Sequence, residues 1–301
     1  MSAADAAPAP AGAALPARVR PRAVRAWWRL LASELHLVFR QWRHLALLGA
    51  LALLPAVLGV ALRLSTPQGG GEEGGNGPVG SLINQLAGNG VFLAFIALTI
   101  MLVLALPLTM AVVSGYSVAG EAGSGTLRYL LAVPAGRTRL LFVKYVAVVI
   151  YALAAVTVVV GVSLILGVSL FPAGPVTLLS GTTVSLADGL LRLLFVLLYV
   201  TAGMAALGAI GLAISTLTEH PIGAIAAVAI LTVASEVSDN IPQFGVIRPY
   251  LPTHWWLSFD ALLRSPVATA DLLHGLLSFG AYIVIFFAIA WARFTSADVT
   301  S

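Results

Sequence analysis

Cysteine is absent from this chain of 301 residues, which excludes disulfide bonds and thiol chemistry. Charged side chains are also scarce. They make up 9% of the residues, whereas soluble domains carry about 25%. Hydrophobic residues reach 59%, and the mean hydropathy is +0.99. A soluble fold of this size could not bury so much apolar surface, so lipid must surround most of the chain.

Lysine occurs only once, at Lys144, and this excludes one class of function. A P-loop holds nucleotide phosphates with a glycine-rich loop that ends in Gly-Lys-Ser or Gly-Lys-Thr. Tyr145 follows Lys144 and no glycine loop precedes it, so the chain cannot be a P-loop ATPase. The five histidines form no paired ligand motif, so we expect no metal site, no catalytic residue and no cofactor on this chain.

Long apolar runs predict an all-α, polytopic membrane protein with six spans. The predicted spans are 45–62, 91–113, 145–171, 193–217, 222–235 and 272–292. Residues 1–21 are expected to form a disordered cytoplasmic tail, and residues 22–301 a single transmembrane domain. These spans contain almost no ionisable residues, which argues against a transporter driven by protons or sodium ions.

Basic residues are unevenly distributed around these spans. With six spans, 12 of the 16 lie on the side that holds both termini. Cytoplasmic loops carry an excess of Lys and Arg, so both termini are predicted to be cytoplasmic, in a bacterial plasma membrane. Without the fifth span, the C-terminus would move outside but residues 115–144 would stay inside. On the outer side, residues 236–271 predict short helices that dip into the membrane before the last span.

Residues 22–44 predict an amphipathic helix at the inner membrane interface. Residues at steps of three and four form its apolar face: Trp28, Leu31, Leu35, Val38, Trp42 and Leu45. The opposite face is basic: Arg22, Arg25, Arg29, His36, Arg40 and Arg43. The helix is either a plain membrane anchor or also a contact for a cytosolic partner. Glu34 slightly favours the second, because it lies near the apolar sector.

A polar island at residues 115–144 separates two apolar runs. Within it, Ser124 is a plausible N-cap, and Leu127, Leu130 and Leu131 form one apolar stripe of a short helix. Pro134 disfavours helix at the residue before it and so ends this helix. A helix of two turns is not stable alone. It needs a surface, which is its own protein, the lipid interface or a groove on a partner.

The ordered residues of this island resemble the signature of permease subunits of type-2 ABC exporters. The matching residues are Gly120, Glu121, Gly125, Thr126, Leu127, Leu130, Leu131, Pro134, Arg137, Leu140, Leu141 and Lys144. Ser33-Glu34-Leu35 is similar to the family's N-terminal helix, and Phe294 followed by Asp298 is similar to its C-terminal ending. Ala297 departs from the basic residue that the family often has before this Asp.

The resemblance implies an ATP-driven exporter built from two permeases and two copies of a separate ATP-binding cassette subunit, which would hold ATP and Mg. The island would be the segment that couples the permease to this ATPase. The expected coupling residues are Glu121, Gly125, Thr126, Leu127, Arg128, Leu130, Leu131, Pro134 and Arg137. Trp28, Glu34, Arg40 and Trp42 would belong to the interfacial helix. The apolar spans favour a hydrophobic or amphipathic substrate, and an ATP-independent membrane scaffold or a membrane-embedded enzyme is the alternative.

An outer gate is a further possibility raised by four residues between the fifth and sixth spans. Glu236 and Asp239 either form an acidic vestibule for cationic substrates or are ordinary solvated acids at a helix end. Trp255 and Trp256 either belong to the aromatic belt of the membrane interface or close the exit as a lid.

Overall fold

The computed structural model describes residues 20–65, 89–125, 136–172 and 174–296, with side chains from residue 27 onward and without that of Ser65. Helices dominate these ranges. The α-helices are α1 Arg20–Arg40, α2 Trp42–Ser65, α3 Phe92–Val103, α4 Ala105–Gly123, α5 Arg137–Leu170, α6 Leu186–Ser215, α7 Pro221–Asp239 and α8 Thr269–Ser296. Strands β1 Val176–Thr177 and β2 Thr183–Val184 form a small antiparallel hairpin. Short 3₁₀ helices cover Pro242–Phe244, Arg248–Tyr250 and Trp256–Leu263.

Five of these helices, α2, α5, α6, α7 and α8, are long and apolar enough to cross a membrane. Many of their large apolar side chains point away from the protein: Ile165 on α5, Ile230 on α7 and Val284 on α8 are each more than 60% exposed. Such surfaces are stable in lipid and not in water. The structure therefore confirms a mostly helical, multi-pass membrane protein.

The second predicted span is not one straight helix. Helices α3 and α4 bend by 55° at Leu104 and count as a sixth crossing only if they are taken together. Pro107 explains the break, because it has no N–H to donate and its ring clashes with the carbonyl oxygen four residues earlier, that of Val103. The helix then resumes, with Leu108 N–H bonded to Leu104 O at 2.9 Å.

Several helices extend beyond the predicted spans into charged residues that the prediction had taken as loop. Helix α4 runs on to Gly123 and includes Glu121, which the prediction had placed in the polar island. Helix α5 begins at Arg137 rather than at residue 145, and α6 begins at Leu186 rather than at residue 193. Ser185 caps α6 by accepting a hydrogen bond from Asp188 N–H at 3.1 Å.

Helix α6 is the centre of the bundle and packs against α4, α5, α7 and α8. Helices α1, α2 and α3 pack mainly around α5. One end of the bundle, here called the hairpin end, carries β1, β2 and the 3₁₀ helices. At the opposite end, the C-termini of α4, α6 and α8 meet the N-termini of α5 and α7.

At the hairpin end, the turn just before α3 comes into direct backbone contact with α5 through two glycines. A Cβ on Gly90 would lie 2.1 Å from Gly167 O, and a Cβ on Gly167 would lie 2.0 Å from Gly90 O. Asn89 stands beside this contact and donates from its side chain to Pro175 O at 3.1 Å. The start of the second apolar segment is thereby fixed to the chain that follows α5.

Candidate functional site

Three charged side chains from three helices meet at the end opposite the hairpin. Lys144 Nζ of α5 lies 2.5 Å from Glu121 Oε1 of α4, and 3.1 Å and 3.3 Å from the two carboxylate oxygens of Glu34 of α1. Lys144 and Glu34 are only 3% and 6% exposed. These three residues are called the charge cluster below.

The charge cluster joins helices α1, α4 and α5. A buried charge is stable only when it is paired and hydrogen-bonded, so Lys144 holds the end of α4 and the middle of α1 against the first turns of α5. Two carboxylates therefore face one ammonium group among the described residues. Glu121 is its most exposed member, with 20% of its side chain accessible.

The end of α4 is closed by two residues of the polar island. Ser124 is the C-cap of α4, and its hydroxyl donates to Glu121 O at 3.2 Å. It was expected to be an N-cap, and this was wrong because its backbone is helical rather than extended. Gly125 follows with φ of +69°, a left-handed conformation that glycine adopts without strain at a helix C-terminus.

The predicted coupling helix itself lies outside the described residues. This applies to Thr126, Leu127, Arg128, Leu130, Leu131 and Pro134. The structure describes the residues on both sides of it, which are the end of α4 and the start of α5. The coupling role of these residues stays a prediction.

The signature residues that follow fix α5 to the end of α8. Arg137 donates from its guanidinium group to Thr295 O at 3.0 Å. Thr138 Oγ1 accepts a hydrogen bond from Trp291 Nε1 at 2.9 Å. Leu140 and Leu141 are buried in a second hydrophobic core with Phe294. The charged residues Glu121 and Arg137 flank the polar segment in the sequence. In the structure, both contact neighbouring helices.

Ser215 was missed by the sequence analysis. At the end of α6, its hydroxyl accepts from Val118 N–H at 3.0 Å and Ala119 N–H at 2.8 Å, and it donates to Gly115 O at 2.8 Å. It therefore inserts between backbone groups of α4, two residues before Glu121. The only signal was a serine in an apolar helix, which is common without such a role.

The interfacial helix differs from its prediction. Helix α1 ends at Arg40, and α2 begins at Trp42 after a break at Gln41. Trp42 and Leu45 therefore do not continue the apolar face of α1. His44 fixes this break, because its Nδ1 donates to Val38 O at 2.8 Å. Leu31 and Glu34 turn toward the bundle.

The exposed residues of this region are Trp28 at 60%, Trp42 at 81%, and Arg40. Glu34 lies near the apolar face of α1 because it pairs with Lys144 inside the protein. The membrane depth of α1 stays a prediction, as does its contact with a cytosolic partner.

The four residues of the expected outer gate differ in their contacts and burial. Asp239 Oδ1 lies 2.6 Å from His254 Nδ1 and 3.3 Å from Arg248 Nε, so it is not simply a solvated acid. Glu236 lines a small cavity with Asp239 and Trp256. The role of the four residues as a gate stays a prediction.

The two tryptophans also have different surroundings. Trp256 is 4% exposed and lies against Gly203 of α6, so it is a core residue and not a belt residue. Trp255 is half-buried, and its Nε1 donates to Pro249 O at 2.9 Å. Its own carbonyl accepts from the Tyr199 hydroxyl at 2.7 Å.

Comparison with known proteins gives one family. The family model described as ABC-2 family transporter protein matches residues 81–235, which is just over half of the chain. A comparison with curated proteins found no match. The matched region includes the bent pair α3 and α4, the polar island, and helices α5 and α6. This chain therefore belongs to the ABC-2 family of transporter proteins and is a membrane permease of that family.

Proposed function

We propose that this permease is the membrane subunit of an exporter driven by a separate ATP-binding cassette subunit. One observation supports this most directly. The charge cluster holds the last turn of α4, immediately before the predicted coupling segment, against α1 and α5. A push on that segment would be transmitted through Lys144 to two further helices at once, because these contacts are buried and short.

ATP and Mg would be bound by the partner subunit. The sequence has no P-loop, and its only lysine is engaged inside the charge cluster. The assembly implied by the family resemblance contains two permeases and two ATPase subunits.

The proposed topology has six spans, with α3 and α4 forming the second. Both termini would then be cytoplasmic, together with the end of the bundle that carries the charge cluster. Arg137, Arg139 and Lys144 at the start of α5 and Arg293 near the end of α8 lie at this end. The positive-inside rule places such a basic end in the cytoplasm, and the hairpin end would face outward.

The substrate class favoured by the structure is hydrophobic or amphipathic. A cavity of about 490 Å³ lies near the hairpin end between α3 and the last 3₁₀ helix. Its wall is mostly apolar and includes Phe92, Phe95 and Leu257, with His254 and Asp260 as polar groups. Sites for amphipathic molecules combine an apolar wall with a few polar groups in this way.

Co-purification with an ATP-binding cassette protein encoded beside this gene tests the proposal. The tagged permease should retain the ATPase in equal numbers of both chains, and the permease alone should hydrolyse no ATP above background. Robust hydrolysis by the permease alone would contradict the split arrangement. If the permease can be isolated without any ATPase and still transports fully, an ATP-independent scaffold or an embedded enzyme is favoured.

A further inference from the structure

Helix α6 is mostly buried, and three of its polar side chains bond to the backbone of other elements. Arg192 and Tyr199 do so in the half nearer the hairpin end, and Ser215 does so at the opposite end. Tyr199 and Ser215 are separated by about 24 Å along the helix axis. The helix therefore has fixed polar contacts toward both ends of the bundle.

At the end opposite the hairpin, α6 is joined to the last turns of α4. Ser215 is fully buried, and its hydroxyl bonds to backbone groups of residues 115, 118 and 119 of α4. One turn earlier, a Cβ on Gly211 would lie 2.7 Å from the Cβ of Ser114, so the two helices are in close contact. Neither helix can slide past the other without breaking these buried hydrogen bonds, which is costly.

Nearer the hairpin end, α6 is joined to residues 255–264, here called the wall segment. The Tyr199 hydroxyl donates to Trp255 O at 2.7 Å. The Arg192 guanidinium group donates to Leu262 O. Both bonds end on backbone oxygens, so a displacement of α6 would displace the main chain of the wall segment and not only its side chains.

The wall segment forms one side of the cavity of about 490 Å³ that the proposed function assigns to the substrate. The lining residues from this segment are Leu257, Ser258, Phe259, Asp260 and Leu263. Helix α3 forms another side of the cavity, with residues between Phe92 and Ile100. The size of the cavity therefore depends on the separation between α3 and the wall segment.

Helix α4 reaches these two sides of the cavity by different routes. Along the chain it continues into α3, but this connection is bent by 55° at Leu104. A break of this kind acts as a hinge and absorbs displacement. Through Ser215, α4 is also joined to α6, which is one continuous helix from Leu186 to Ser215. A shift of the end of α4 would thus move the wall segment relative to α3 and change the size of the cavity.

We propose that α6 transmits the movement of the end of α4 to the substrate cavity, with Ser215 and Tyr199 as positioning residues. Glu121 lies two residues after Ala119, which bonds to Ser215, so a push on the predicted coupling segment would reach Ser215 within one turn. Rigid helices with fixed contacts can carry coupling between distant sites. The inference rests on the proposed function, because it connects the ATPase with the substrate cavity, and it adds the route between them.

Thiol labelling of the purified permease–ATPase complex tests this route. The chain has no cysteine, so Leu257→Cys, at a 42% exposed position of the cavity, supplies a single reporter. Its reaction rate with N-ethylmaleimide is measured from the mass of the permease chain, without nucleotide and with a non-hydrolysable ATP analogue. In the reporter with no other substitution, the analogue should change the rate at least about fivefold, the low end of coupling between two sites.

Ser215→Ala in the reporter should remove most of this change, because α4 is no longer bonded to α6. It should still retain the ATPase, which shows that the complex is intact. Thr201→Val is the matched control, because Thr201 is a buried residue of the same helix whose hydroxyl bonds to Leu197 O within that helix at 2.7 Å. This control should keep the full response. A purely structural role of Ser215 would lower stability but would not remove the response of a distant cysteine to nucleotide.

If Ser215→Ala does not purify as a folded protein, Tyr199→Phe removes one hydroxyl at the other contact and should reduce the response. A full response in Ser215→Ala, an equal loss in Thr201→Val, or no effect of the analogue on the Leu257→Cys reporter would each overturn the proposal while the complex itself is intact. Failure to obtain any permease–ATPase complex would instead contradict the proposed function, and with it this route. The two failures are therefore distinguishable.

Discussion

Lys144 is the only amine side chain of this protein, and it serves two carboxylates from two helices. Burying an unpaired charge is costly, and removing one partner of a buried pair typically costs about 3–5 kcal/mol. Here either glutamate can be neutralised while the other still balances the ammonium group. Either glutamate alone can therefore keep the buried Lys144 stable. Each glutamate still holds a different helix in place.

This redundancy predicts non-additive effects of two substitutions. Glu34→Gln and Glu121→Gln should each lower the free energy of unfolding by about 1 kcal/mol or less, as for a single lost hydrogen bond. The double variant leaves Lys144 buried without an anion and should lose about 3–5 kcal/mol. Thermal unfolding in detergent measures this. The exposed Glu219→Gln is the control, and additive effects in the double variant would contradict a shared lysine.

Parts of the site could be predicted from single residues, and parts could not. Glu34 was noticed because an acid near an apolar face is unusual, and Glu121 and Lys144 were noticed through the family signature. That the three meet depends on the fold, since Glu34 and Lys144 are 110 residues apart. The role of Ser215 could not be predicted, because it depends on backbone groups of another helix.

At the scale of elements, helix ends decide where the functional residues lie. The apolar runs sufficed to predict α2, α5, α6, α7 and α8, because a span needs a long stretch of apolar residues. Some helices extend beyond the predicted spans where a charged residue is buried, as Lys144 is in the first turns of α5. The bend at Leu104 and the hairpin of β1 and β2 were not predicted. The bend follows from Pro107, and the hairpin is too short for a period-two pattern.

The contact between α3 and α5 predicts opposite effects of two glycine substitutions on one helix. Gly167→Ala should destabilise the protein by about 1–3 kcal/mol, because its Cβ would meet a backbone oxygen that cannot easily move. Gly161→Ala has nothing within 4 Å of the new Cβ and should stabilise α5 by about 0.5–1 kcal/mol. Thermal unfolding of both variants is the measurement. Equal melting temperatures would show that the helices are not in contact at Gly90.

At the scale of the whole molecule, the proposed orientation assigns a different expected role to each end. The chain has no cysteine, so single cysteines can be introduced without a background. Thr182→Cys at the hairpin end should react with a membrane-impermeant thiol reagent from outside intact cells. Ser124→Cys and Ser296→Cys at the opposite end should react only after permeabilisation. All three residues are exposed, so labelling of Ser124→Cys from outside would reverse the proposed orientation.

The proposed coupling function would lie at the end of the molecule that carries the charge cluster. The family match extends from residue 81 to residue 235 and so includes both sides of the predicted coupling segment. Contacts of Glu121, Arg137 and Ser215 tie these sides to α1, α5, α6 and α8. A force applied there would reach most of the bundle.

The most direct test of this account is ATP turnover of the permease–ATPase complex with and without substrate, measured beside pull-down of the ATPase. Replacing Leu127, Leu130 and Leu131 by Ala should abolish pull-down, because the apolar stripe that we expect to dock on the ATPase is lost. Replacing Leu273, Leu276 and Leu277 by Ala is the control, since these exposed leucines have the same spacing at the hairpin end. Glu121→Gln should retain the ATPase but lose most of the substrate-stimulated turnover. Normal binding and turnover in the first variant, or normal stimulation in Glu121→Gln, would contradict the coupling role of this region.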